Sequence, residues 1–134
     1  MKVALILSTL LLTVAGLTAD AHHSIAGMYD NRRDVTLDGV VHQFQFVNPH
    51  PFLVVDVLRA DAAERWHLEL DNRGELADIG ISASTFKPGD RLVVTGQPAH
   101  REPNRLYVRQ LNRPSDGFQY EQVGNEPRLR SRGR

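Results

Sequence analysis

The chain has no cysteine, which removes disulfides, thiolate metal sites and thiol catalysis together. A domain of this size must then rely on its own core, or on a ligand or partner. Charge of one sign is also lacking, since 16 Lys and Arg stand against 16 Asp and Glu. A general nucleic-acid binder needs a basic stripe, so no specific nucleic-acid partner is expected. Glycine is present without a phosphate-cradling motif; Lys87-Pro88-Gly89-Asp90 has the composition of a turn. No nucleophile elbow surrounds Ser24, which gives no support to a hydrolase. Asp30, Asp34 and Asp38 recur without a calcium-loop pattern and read as surface charges.

Long hydrophobic runs are lacking too, apart from one at the start. Lys2 is followed by the apolar stretch Val3 to Leu17, and then by Ala19-Asp20-Ala21. A positive residue, an apolar run and a small-x-small end are the marks of a secretory leader. The run falls short of the roughly 20 residues that span a bilayer. Cleavage after Ala21 is therefore expected, with export to the periplasm or the extracellular space and no transmembrane anchor after processing.

The rest of the chain reads mainly as strands. Val35 to Asn48 is rich in Val, Phe and Thr; Val35, Leu37, Gly39 and Val41 share one alternation phase, whereas Phe44 and Phe46 take the other. Such a phase change predicts a long strand that bends or bulges and serves two faces of a barrel, with Gly39 as the bend. Phe52 to Leu58, Arg65 to Leu70, Arg91 to Gly96 and Leu106 to Leu111 supply four more strands. Between the third and fourth, residues 72–86 lack strand alternation and leave room for a short helical turn. Five strands with that insert predict an all-β, OB-like barrel, with an SH3-like barrel or small sandwich as the rival. The expected organisation is a leader at 1–21, a lead-in segment at 22–34 and a barrel with packed extension at 35–122. Residues 123–134, ending in Arg128, Arg130, Arg132 and Arg134, are expected to be a disordered tail.

Cleavage after Ala21 would create a chain starting His22-His23-Ser24. A terminal histidine offers an amine and an imidazole nitrogen in one residue, and both are neutral without extreme shifts. Nitrogen donors of this kind suit late first-row divalent metals, copper foremost. His50, in the Pro-flanked turn Asn48-Pro49-His50-Pro51, is the preferred third donor, so His22, His23 and His50 form the expected metal site. A cut giving Ala21 as the first residue would instead place His23 third, suited to square-planar Cu(II) or Ni(II). Met28 is a weaker thioether candidate. His42 reads as a packed or rim histidine, and His67 with Glu69 as an outward face able to hydrogen-bond or support a ligand. His100 reads as loop decoration.

The sequence resembles the small secreted bacterial proteins of domain-of-unknown-function family 6152. The resemblance rests on Ala21-His22-His23-Ser24 with Tyr29-Asp30, on Val35 to Val41, on Asn48-Pro49-His50, on the Trp66 strand, and on Phe86 to Asp90 through Val93-Val94-Thr95-Gly96. It implies an exported barrel-like domain in which the histidine pair and the Asn-Pro-His turn are characteristic. Two family features are missing: an acidic residue before the tyrosine, where Ile25-Ala26-Gly27-Met28 stands, and a tryptophan before the Lys-Pro-Gly-Asp turn, where Ile81 to Ser84 stands. The expected function is holding or delivering a metal, copper by preference, with a donor or acceptor protein in the envelope as partner. The alternative is a metal-free OB-like module that grips a peptide, glycan or envelope protein, favoured if Phe52 or Tyr107 is exposed.

Overall fold

The computed structural model describes residues 25–130. A short helix α1 (Ile25–Met28) leads through Tyr29 and Asp30 into β1 (Val35–Gln45), β2 (Phe52–Leu58) and β3 (Ala63–Glu69). Helix α2 (Arg73–Asp78) comes next, then β4 (Arg91–Pro98), β5 (Arg105–Arg113), β6 (Phe118–Val123) and β7 (Glu126–Leu129). The sheet order is β3-β2-β1-β4-β5-β6-β7, and β3 also pairs parallel with β5. That last pairing closes β1 to β5 into the expected OB-like barrel and leaves β6 and β7 as an added hairpin.

The interior follows from alternation. Leu37 and Val41 of β1, Leu53, Val55 and Val57 of β2, and Leu68 of β3 are all buried in one core. The phase change in β1 is a bulge between Val41 and Gln43, which turns Phe44 inward against that core. The bend is thus displaced from Gly39, where the pairing with β2 runs in regular register. Gly39 answers a different need: a Cβ there would lie 3.0 Å from the Asp56 carbonyl oxygen and 3.2 Å from Val57. Gly96 is tighter still, since a Cβ would fall 2.1 Å from the Tyr107 carbonyl oxygen. At the β4 bulge between Thr95 and Gly96, only a residue without a side chain admits that approach.

The insert between β3 and β4 closes one end of the barrel. Asn72 caps α2, its side-chain oxygen accepting from the backbone N–H of Gly74 at 2.8 Å and of Glu75 at 3.4 Å. The helix ends where Ile81 N–H donates to the Leu76 carbonyl, which brings two buried apolar side chains together at its C-terminus. Phe86 meets Phe44 and Phe118 edge-on, with ring centroids 5.1 and 5.4 Å apart. The Lys87 to Asp90 segment is the expected turn, closed by Asp90 N–H to the Lys87 carbonyl.

Beyond the barrel, Phe118 packs on the core and Tyr120 is buried in it. The order expected to end near Gln122 continues: Glu126–Leu129 pairs with Tyr120 to Val123. The hairpin holds because Tyr120 anchors it from inside while Arg128 bonds Glu121 across the strands at 2.6 Å. Tyr107 is also a correction: it is buried, whereas the metal-free alternative looks for it on the surface; Phe52 is half-buried. No helix among the described residues is long and apolar enough to cross a membrane.

Candidate functional site

The barrel closure brings Glu69 at the end of β3 level with Tyr107 of β5, and His67 level with Arg105. Leu68, between them, points into the core, so His67 and Glu69 share the outer face. His67 stays exposed there, but Glu69 is 6% exposed. Its cover comes from three directions.

The first is the lead-in segment. Tyr29 lies against Tyr107 with ring centroids 5.6 Å apart, and its hydroxyl donates to Glu69 Oε2. Backbone bonds fix its approach: Tyr29 N–H donates to the Ile25 carbonyl at 2.9 Å, and Asp30 N–H to the Pro98 carbonyl at 2.9 Å. Asp30 is therefore not the surface charge the sequence predicts; it is buried, with its carboxylate accepting from the backbone N–H and Nε of Arg32. Asp34 and Asp38 are exposed as expected.

The second is Arg105. Its Nε donates to the Tyr29 hydroxyl at 2.9 Å, one terminal nitrogen to Glu69 Oε2 at 3.0 Å, and the other to Glu102 at 2.7 Å. Burial works against its charge, but the bonds to Glu102, Tyr29 and Glu69 outweigh that cost and hold it protonated beyond the usual range. The phenol of Tyr29 is pushed well above its ordinary value, first by burial and then by the Glu69 carboxylate.

The third is His50, whose Nδ1 lies 2.8 Å from Glu69 Oε1 with its side chain 20% exposed. A carboxylate can only accept, so Nδ1 carries the proton of this bond, and it is the neutral ring that keeps a lone pair on Nε2. The turn that presents this ring is tied from both sides. The carbonyl of Pro49 accepts from Arg73 N–H at 3.0 Å, and that of Pro51 accepts from Leu70 N–H at 2.9 Å. The Asn48–Pro49 peptide is cis.

His22 and His23, the other two expected ligands, lie outside the described residues. Among the described residues there is no group of three or more His, Asp or Glu side chains able to hold a metal ion. His42 sits at the β1 bulge, exposed, within 3.2 Å of Arg65 and 3.6 Å of Asp56. His100 is exposed and joins the lead-in segment through its backbone N–H, which donates to the Met28 carbonyl at 2.9 Å. A cleft of about 750 Å³ opens there, lined by Met28, His100, Arg101, Glu102 and Arg105. Glu69 is legible as a supporting residue from its alternation, although its imidazole partner is His50 instead of His67. Arg105 carries no sequence signal, because only the parallel closure of β3 on β5 brings it to Glu69.

Fold and cluster together define a small all-β barrel of OB type with a buried polar clasp on its outer face. The chain belongs to a family of unknown function, DUF6152, whose model matches residues 10–106. That span holds every member of the clasp and stops short of β6. No curated protein and no solved structure matches the chain.

Proposed function

We propose that the mature chain is an exported metal-holding domain that uses His50 together with His22 and His23 at its processed terminus. The observation that carries this reading is the Glu69–His50 pair. A metal-binding imidazole commonly donates its second ring N–H to a carboxylate, which fixes the tautomer and raises the basicity of the ligating nitrogen. Glu69, 2.8 Å from His50 Nδ1, stands where such a carboxylate would, and the turn that bears the ring is held by backbone bonds at both prolines.

The lead-in segment supports the same reading. Glu69 Oε2 accepts from Tyr29 while Oε1 takes His50, so one carboxylate ties the chain downstream of His23 to the turn that bears the third ligand. His22 is three residues before Ile25, a reach of roughly 10 Å in extended chain. An amine and imidazoles favour copper over zinc by the general affinity order. The domain would hold the ion or hand it to an envelope protein in the periplasm or outside the cell.

Protein beginning at His22 is expected to bind one equivalent of Cu(II), followed by calorimetry and visible absorbance. His50→Ala and acetylation of the His22 amine should each abolish stoichiometric binding. Retention of a stoichiometric ion after both changes would overturn the site.

A further inference from the structure

A second cleft, of about 380 Å³, lies on the outer barrel face beside the clasp. Gln45 at the end of β1, Phe52 of β2, His67 of β3 and Arg105 of β5 form its floor, and Glu102 to Asn104 form its rim. The strand face and the β4–β5 loop are among the parts through which OB barrels grip ligands, and Gln45 and Phe52 stand at the two ends of the β1–β2 connection. The rim is fixed: Asn104 adopts φ 54°, a left-handed conformation that asparagine tolerates, and its carbonyl accepts from His67 N–H at 2.9 Å.

The chemistry of the lining selects among ligand classes. Arg105 is the only cation in it, and its guanidinium is already engaged by Glu69, Glu102 and the Tyr29 hydroxyl. An anionic polymer would find no unspent positive charge, which leaves nucleic acids and acidic glycans without their main source of affinity. Neither β3 nor β5 offers an extended peptide a strand edge to join. At these positions β3 is paired with both β2 and β5, and β5 with both β3 and β4. An amphipathic helix or a proline-rich segment needs a groove lined by apolar or aromatic side chains. Here Phe52 is the one aromatic, and the Arg105 guanidinium already lies 5.3 Å from its ring centroid.

The lining is left with hydrogen-bonding capacity and no net charge to offer. Among the described residues the side-chain amide of Asn104 and the ring of His67 make no hydrogen bond, and Gln45 uses only its amide nitrogen, towards Gln43 at 3.3 Å. Planar amides and an imidazole beside a partly apolar floor match neighbouring hydroxyls on a ring whose other surface is C–H. We infer that this cleft binds a neutral oligosaccharide, independently of any metal at His50.

The test uses the chain from His22 on an array of neutral linear oligosaccharides, with sulfated and phosphorylated glycans on the same surface. Saturable binding to neutral members is expected. In a backbone NMR titration with a neutral binder, the amides of Gln45, His67 and Asn104 should shift. Asn104→Gly, which keeps the left-handed backbone, and Gln45→Ala should each weaken binding about tenfold, one lost hydrogen bond's worth. No binding to neutral glycans, binding to the anionic ones alone, or affinity unmoved by both substitutions would overturn the proposal.

Discussion

Leu68 and Glu69 are neighbours on β3 that face opposite ways, and their surroundings are built by opposite means. Leu68 is fully buried among side chains from β1, β2, β4 and β5, held by apolar packing that any well-filled barrel provides. Glu69 is nearly as buried, yet its cover consists of a phenol, a guanidinium and an imidazole contributed by three separate segments. Packing tolerates exchange of one hydrocarbon for another of similar volume. A buried carboxylate tolerates little, because each partner that leaves exposes an unmatched charge. The interior explains why the chain folds, and the outer cluster is where buried polar contacts join distant segments.

The comparison breaks most visibly at the interior residue. Leu68→Ala should lower unfolding free energy by roughly 2–5 kcal/mol, since the surrounding strands cannot collapse onto the lost volume. A urea titration should show a lower midpoint with an unchanged slope. A loss under about 1 kcal/mol, well short of the usual cost of such a truncation, would mean that the barrel interior is loosely packed at β3.

Next comes Glu69→Gln, which keeps the size and removes the charge. A cost of roughly 1–3 kcal/mol is expected, from weakened charge-assisted bonds to Arg105 and His50. Its distribution should differ from that of the first substitution. Amide exchange should accelerate at Tyr29 and Asp30, which the clasp pins, while Leu106 and Val108 in the barrel keep their protection. Uniform acceleration across the barrel would show that the clasp is part of the core and not a separate device.

How far the sequence reveals each region differs for the same reason. The interior is written in local alternation: Leu53, Val55 and Val57, or Trp66, Leu68 and Leu70, read as one face from their spacing alone. Even the bulge in β1 is visible as a phase change, although the sequence points to Gly39 and the register places it beside His42. The outer cluster joins Tyr29, His50, Glu69 and Arg105, whose separations reach 76 positions. No period links them: the β3–β5 closure brings Arg105 to Glu69, while separate backbone bonds bring in Tyr29 and His50. The β6–β7 hairpin escapes a sequence reading for a related reason. Its buried residues are Tyr120 and the polar Gln122, too little apolar pattern to oppose the arginines that come after them.

The smallest effect is silent at neutral pH and divides the two regions by their tyrosines. All three, Tyr29 and Tyr107 on the outer face and Tyr120 inside, have ionisation pushed above the ordinary value, in each case chiefly by burial. An unfolded tyrosine releases its proton near pH 10. The folded chain holds these protons more tightly, so their contribution to stability is complete below pH about 10 and declines as pH rises beyond it. Tyrosinate absorbance should therefore appear together with unfolding and not before. In Glu69→Gln, Tyr29 loses the carboxylate that helps hold its proton, so one tyrosine should titrate earlier while Tyr120 waits for the barrel to open. Three tyrosines ionising near the unperturbed pH of about 10 in protein whose far-ultraviolet circular dichroism is unchanged would contradict the burial of both regions.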